Sequence, residues 1–357
     1  MDRRRPIEKV IETRFGLFRK SQRRTICDLT VGLIARERLG LAEIARGMQD
    51  GTTVRHRIKR AWRFARNAGV SHHRATRALV DWMSAHPADM VVALDWTDLG
   101  DYLLLAAKVA VDRRAVPIAW EVVRKGAFSR RKRSRNHVEE KLIERLRCVI
   151  GSDRWILVAD RGFARASLFK KLPEWGVRYV IRASGSTWVE GRRFAGLLDN
   201  APRSPGAHRR HKQVLYHKQQ RLPVDLVVSH REPAPEPWYL ITNVEAPAVR
   251  IASLYRKRMW IEESFRDAKS NLGLSKLWLA EPERIARMLI VLAIVMLLAI
   301  LIGRDHRRRN GNRDPQLSTK RRGGSLSVFR TGLILMQLHG PPPGLYRLRL
   351  FSRKYTS

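Results

Sequence analysis

The stretch with the most chemistry in it is Tyr255 to Lys269, YRKRMWIEESFRDAK. Wound as a helix at about 100° per residue, it brings Tyr255, Arg258, Glu262 and Lys269 within an arc of about 60°. A phenol, a guanidinium, a carboxylate and an ammonium then share one edge roughly 20 Å long. Beside that edge run Leu254, Ile261, Phe265, Ala268 and Leu272, an apolar stripe that would seat the helix on a core and leave the polar edge at the rim of a site. Gly273 is placed to end the helix. Periodicity alone describes an ordinary amphipathic helix with solvated charges. The identity and spacing of the four polar residues, Tyr-x2-Arg-x3-Glu-x6-Lys, set it apart.

Such a helix needs a scaffold, and the preceding chain supplies strands. MVVALDWTDL (Met90 to Leu99), DYLLLAAKVAVD (Asp101 to Asp112) and AVPIAWEVVR (Ala115 to Arg124) are short, apolar and separated by turn residues, as in an antiparallel meander. A basic loop follows, then a helix from His137 to Ile150 with Val138, Leu142, Ile143, Leu146 and Val149 inward. WILVAD (Trp155 to Asp160) is a fourth strand, a helix begins within RGFARASLFKKLPEWG, and VRYVIRAS (Val177 to Ser184) is a fifth strand. Three strands, helix, strand, helix, strand is the order of an RNase H-like mixed sheet, with the catalytic helix packed on it. The expected class is therefore α/β (α+β). Asp95 lies toward the end of the first strand and Asp160 ends the fourth. Read alone, Asp95 is a strand-end aspartate with Asp98 as its rival, and Asp160 is a helix N-cap.

The Tyr-x2-Arg-x3-Glu-x6-Lys spacing resembles the signature of one branch of DDE transposases, the enzymes that move bacterial insertion sequences. DRGF after the second aspartate and a Trp ahead of the signature add to the likeness, which covers roughly residues 55 to 300. The resemblance implies that Glu262 joins Asp95 and Asp160 as the third acid of a metal site. It implies that Tyr255, Arg258 and Lys269, with Arg161 of the DRGF motif, hold DNA. It also implies that Trp238, or failing that Trp188, stacks on a flipped-out base. Three carboxylates suit Mg²⁺ or Mn²⁺. Two such ions about 3.5–4 Å apart activate water or a 3′-hydroxyl and stabilise the leaving oxygen. The implied activity is phosphodiester cleavage at transposon ends and strand transfer into target DNA, by a homodimer on paired ends.

Composition fits a polyanionic partner. The chain has 357 residues, with 71 Lys and Arg against 33 Asp and Glu, a formal net charge of +38. Neutralising phosphates releases counterions, so binding to nucleic acid should be tight and salt-dependent. Two cysteines without a CxxC pair argue against a disulfide framework or a cysteine zinc site and fit a reducing, bacterial cytoplasmic setting near the nucleoid. Met288 to Ile302 is shorter than the ~20 residues of a bilayer span, so a buried helix is expected and no membrane partner.

The expected organisation is a helical basic DNA-binding region over 1–87, then the first part of the catalytic domain over 88–184. A β-rich insertion over 185–245 separates it from the second part, 246–305, and a basic, loosely ordered tail covers 306–357. In the first region, Val54 to Asn67 mixes Arg, Lys and His with Trp62 and Phe64, as a DNA-contact helix does. His208, His211 and His217 in the insertion show no fourth zinc ligand. The alternatives are a nuclease of the same fold that cuts without joining, a non-catalytic or domesticated DNA-binding relative, and recombination through a phosphotyrosine at Tyr255.

Overall fold

The computed structural model describes residues 4–83, 90–128, 134–152, 154–192, 194–201, 206–230, 236–311, 317, 326–348 and 350. Five helices open the chain: α1 (Arg4–Arg14), α2 (Lys20–Arg36), α3 (Leu41–Gly47), α4 (Val54–Arg66) and α5 (His72–Met83). Three strands follow, β1 (Met90–Leu99), β2 (Tyr102–Val111) and β3 (Arg114–Arg124), joined by tight turns with positive φ at Gly100, Asp112 and Arg113. Then come α6 (Arg135–Ile150), β4 (Trp155–Ala159), α7 (Ala166–Glu174) and β5 (Arg178–Ala183). The strand and helix order read from the sequence is thus the observed one.

The sheet does not stop there. The short pair β6 (Trp188–Gly191) and β7 (Phe194–Leu197), then β8 (His208–Tyr216), β9 (Leu222–Ser229) and β10 (Trp238–Thr242), extend it to ten strands in the order β3-β2-β1-β4-β5-β10-β9-β8-β6-β7. β1–β4 and β4–β5 are parallel and the other neighbours antiparallel. β10 lies between β5 and β9, so the strands of the expected β-rich insertion continue the same sheet. This mixed sheet flanked by helices is an RNase H-like arrangement.

β2 is buried at every position, because helices cover both faces of the first half of the sheet. Trp96 Nε1 on one face donates to Glu139 of α6, and Arg145 of α6 pairs with Glu121 of β3. The other face takes α8 (Ala248–Arg256), α9 (Met259–Arg266) and α10 (Pro282–Asn310). There Lys108 of β2 reaches Ser264 of α9, and Trp120 Nε1 of β3 donates to the carbonyl of Ala286 in α10.

α10 starts with Pro282 at its first turn, where the missing N–H costs nothing. It is long and apolar enough to cross a bilayer, yet nine-tenths of its apolar window is buried within the protein. Part of its cover is α11 (Val328–Leu338), whose Val328, Phe329, Leu333 and Met336 are buried. The two helices cross at glycines: a Cβ on Gly332 would lie 1.8 Å from the Ala299 carbonyl oxygen, and one on Gly303 would lie 1.9 Å from that of Val328. Loose order from residue 306 onward therefore does not hold for the described residues. The apolar residues Leu333 to Leu338 belong to a packed helix, and α10 runs on to Asn310, its last turn carrying Arg307, Arg308 and Arg309 at the negative end of the helix dipole.

Candidate active site

The site grows out of a parallel strand pair. β1 and β4 are in register through Leu94 and Ala159, so the next residues, Asp95 and Asp160, emerge side by side at the end of the pairing. Each aspartate spends one oxygen on backbone. Asp95 Oδ1 accepts the N–H of Trp96 at 2.8 Å, and Asp160 Oδ1 accepts that of Gly162 at 2.9 Å. Asp160 is thus a cap of the short 3₁₀ turn Arg161–Phe163 and keeps its second oxygen for the site. Asp98 lies on the opposite face of β1 by strand alternation, is exposed, and pairs with Lys125 at 2.7 Å. Asp98 therefore lies away from the other two acids.

Glu262 arrives from the helical segment, which is not the single helix expected from periodicity. α8 and α9 are separate, and across their junction and into the first turn of α9 Lys257, Arg258, Trp260 and Ile261 bond to carbonyls three residues back. Beyond Arg266 the chain widens into a π-helical turn, Asp267–Asn271, closed by Leu272 N–H on the Asp267 carbonyl. Gly273 ends the segment at φ 67°, and Leu39 of the N-terminal region donates its N–H to the Leu272 carbonyl. Tightening and widening within fifteen residues undo the common edge. Tyr255 is buried, its ring edge-on to Trp238 at 5.0 Å between centroids, and burial pushes its phenol up to about 12. Trp238 itself is half-buried, packed on the core.

Arg258 stands at the centre of the acids. Its Nη2 lies 3.3 Å from Asp95 Oδ2 and 3.5 Å from Asp160 Oδ2, and its Nη1 donates to Glu262 Oε1 at 2.5 Å. Three carboxylates from two strand ends and one helix therefore meet around one guanidinium. Their exposure is graded, from 15% for the Asp95 side chain to 34% for Asp160 and 47% for Glu262, with Arg258 at 12%. Burial raises the Asp95 carboxyl to about 6. Arg258 opposes the rise, the charge of Asp160 adds to it, the Trp96 N–H opposes it, and Glu262 adds again.

Lys269 Nζ donates to Thr97 Oγ1 at 2.7 Å, two residues beyond Asp95 on the same strand face. Arg161 is exposed beside Asp160. Geometry thus brings Asp95, Asp160, Glu262 and Arg258 together, sets Lys269 and Arg161 near two of the acids, and leaves Tyr255 and Trp238 in the packing behind. Sequence reasoning missed two supports. Glu139 takes both the Trp96 indole and Arg165 (2.5 Å) beneath the sheet, and the fully buried Lys108 lies 3.4 Å over the Phe265 ring. The only signal for Lys108 was a charge inside an otherwise apolar strand.

In donor type the set suits a divalent metal, although the oxygens of all three acids are not within 4.8 Å of one another while Arg258 stands between them. The two aspartates turn their remaining oxygens to the same nitrogen of Arg258, so the carboxylates already converge on one cationic position, and all donors are hard oxygens. The cluster lies on the one face of the sheet that carries α8, α9 and the π turn, with Glu262 at its open side.

Residues 127–298 match the family described as the transposase DDE domain. The matched span includes Asp160 and Glu262 and begins after the strand that carries Asp95. No curated protein matches the chain. The family match supports a DDE transposase.

Proposed function

We propose that the chain cleaves phosphodiester bonds at the ends of a transposable element and joins them to target DNA, with Asp95, Asp160 and Glu262 as the metal-holding catalytic acids. The observation that carries this reading is the meeting of those three carboxylates around Arg258. When bound, Mg²⁺ or Mn²⁺ supplies activation of an attacking hydroxyl and stabilisation of the leaving oxygen. The chain's own residues do the positioning. Backbone N–H groups of Trp96 and Gly162 fix one oxygen of each aspartate, so the free oxygens keep one direction. Arg258 offsets the repulsion of three acids in a shared site.

Phosphate binding falls to cations at the rim, Lys269 and Arg161, and to α4. That helix turns Arg55, His56, Lys59, Trp62, Arg63 and Arg66 to solvent while Ala61, Phe64 and Ala65 are buried, giving one basic face with an exposed Trp. Such a face suits DNA. Buried Tyr255 is a poor nucleophile, which argues against phosphotyrosine chemistry.

The test is cleavage of DNA carrying the sequences on either side of the gene, read together with whether those sequences form inverted repeats. Asp160→Asn or Glu262→Gln should reduce Mn²⁺-supported cleavage below detection while leaving end binding in place, and Ca²⁺ should not replace Mn²⁺. Full cleavage by Asp160→Asn would sink the assignment.

A further inference from the structure

A second cluster of ligating side chains lies away from the acidic site, where the N-terminal helices meet the edge of the sheet. His72 and His73 open α5, and Glu121 stands on β3, the edge strand. The three side chains offer ligand atoms that all lie within 4.8 Å of one another. His72 is 93% buried and its Nε2 has no hydrogen-bond partner, an unusual position for a ring nitrogen. Its ring stacks on Trp120, with 6.2 Å between centroids, and lies 4.0 Å from the ring of His73. Two imidazoles and a carboxylate from two elements, one of them with an unsatisfied buried nitrogen, are hard to account for as packing alone.

We propose that His72, His73 and Glu121 bind a divalent transition ion of the zinc class, with solvent at the fourth position. Imidazole and carboxylate suit zinc, and two His with one Glu is an established donor set for it. Ligands of a tetrahedral zinc lie about 3.4 Å apart given bonds of about 2.0–2.1 Å, so donors already within 4.8 Å of one another have only a short distance to draw in. Glu121 is already oriented as a ligating carboxylate requires: its Oε1 accepts Arg145 at 2.5 Å, and Oε2 is left for a metal. The His rings sit in a partly desolvated setting that keeps them neutral, the form that ligates. The ion would tie α5 to β3, joining the N-terminal helices to the catalytic sheet without touching the reaction.

The test uses the full chain, stripped with a chelator and titrated with Zn²⁺ by calorimetry in excess Mg²⁺, which occupies the carboxylate site. One Zn²⁺ per chain is expected. His73→Ala, a change at an exposed side chain, should weaken it at least tenfold, and Glu121→Gln should also weaken it. Asp160→Asn should leave it unchanged. In the Co²⁺-loaded protein, His73→Ala should abolish the visible bands of four-coordinate cobalt. Zinc binding that is absent, indifferent to His73→Ala, or lost with Asp160→Asn would overturn the proposal.

Discussion

β2 and β8 belong to one sheet and follow different rules. β2 is buried at all ten positions, while β8 exposes Arg209, His211, Lys212 and Gln213 and buries only Val214 and Tyr216. The first half of the sheet is covered on both faces, so its strands are continuous apolar runs. In the second half, α8 is the helix that packs on β8 and β9, and these strands are interrupted by charge and by a register shift between His211 and Val214. The acids stand in the covered half. β1, which carries Asp95, is held by α6 below and α9 above, so that carboxylate keeps a fixed direction. The open half has surface to spare, and spends it on cations.

The contrast can be broken most directly by truncating a core side chain in each half. Leu157→Ala, in β4 and fully buried, should cost about 2–5 kcal/mol, read as a lower urea midpoint. Leu215→Ala, half-buried in β8, should cost about 1 kcal/mol or less. Equal losses would mean that the open half is as tightly specified as the covered one.

A second experiment uses the charge buried in the covered half. The Asp95 carboxyl sits at about 6 in the folded chain, above its ordinary value of 3.8. Folding therefore favours its proton, and ionising it above pH 6 costs stability that is not lost below about pH 4. Asp95→Asn should raise the Tm of the metal-free protein by about 2–4 °C at pH 8, with the gain shrinking as pH falls through 6 toward 4. A gain that is the same at pH 8 and pH 4.5 would contradict this. The smallest effect concerns DNA. Lys269→Ala should flatten the salt dependence of end binding by about one charge, whereas Arg258→Ala should leave that slope nearly unchanged and alter Mn²⁺ affinity instead. If both variants shift the slope alike, Arg258 contacts phosphate after all.

How much of this was legible depended on whether a local period governed the element. The three hairpin strands and the fourth and fifth were readable because each is an apolar run closed by turn residues such as Gly100 and Asp101. The same runs place Asp95 and Asp160 at strand ends. The helix carrying Glu262 was readable in outline, but its common edge was not. A break at Lys257 and a π turn at Asp267 follow from packing against Trp238 on one side and Arg38–Leu39 on the other, and no period of 3.6 records either. Loose order is the expectation over α11 because Leu333 to Leu338 is a short apolar stretch in a basic tail that contains Gly and Pro. Its partner is α10, and the close approach at Gly303 and Gly332 shows only in three dimensions. The His72–Glu121 pairing joins residues 49 positions apart and left no sequence signal at all.

α10 has a further consequence during synthesis. The chain leaves the ribosome from its N-terminus, so the long apolar helix emerges before α11, the segment that covers part of it. For that interval the nascent chain displays a stretch with the length and apolarity of a bilayer span. Its protection falls to the N-terminal helices and β3, already made and waiting. A copy of the gene truncated between Asn310 and Val328 would leave the helix permanently part-bare. Such a product should be drawn into aggregates or membranes and, in the cell, cleared by proteolysis.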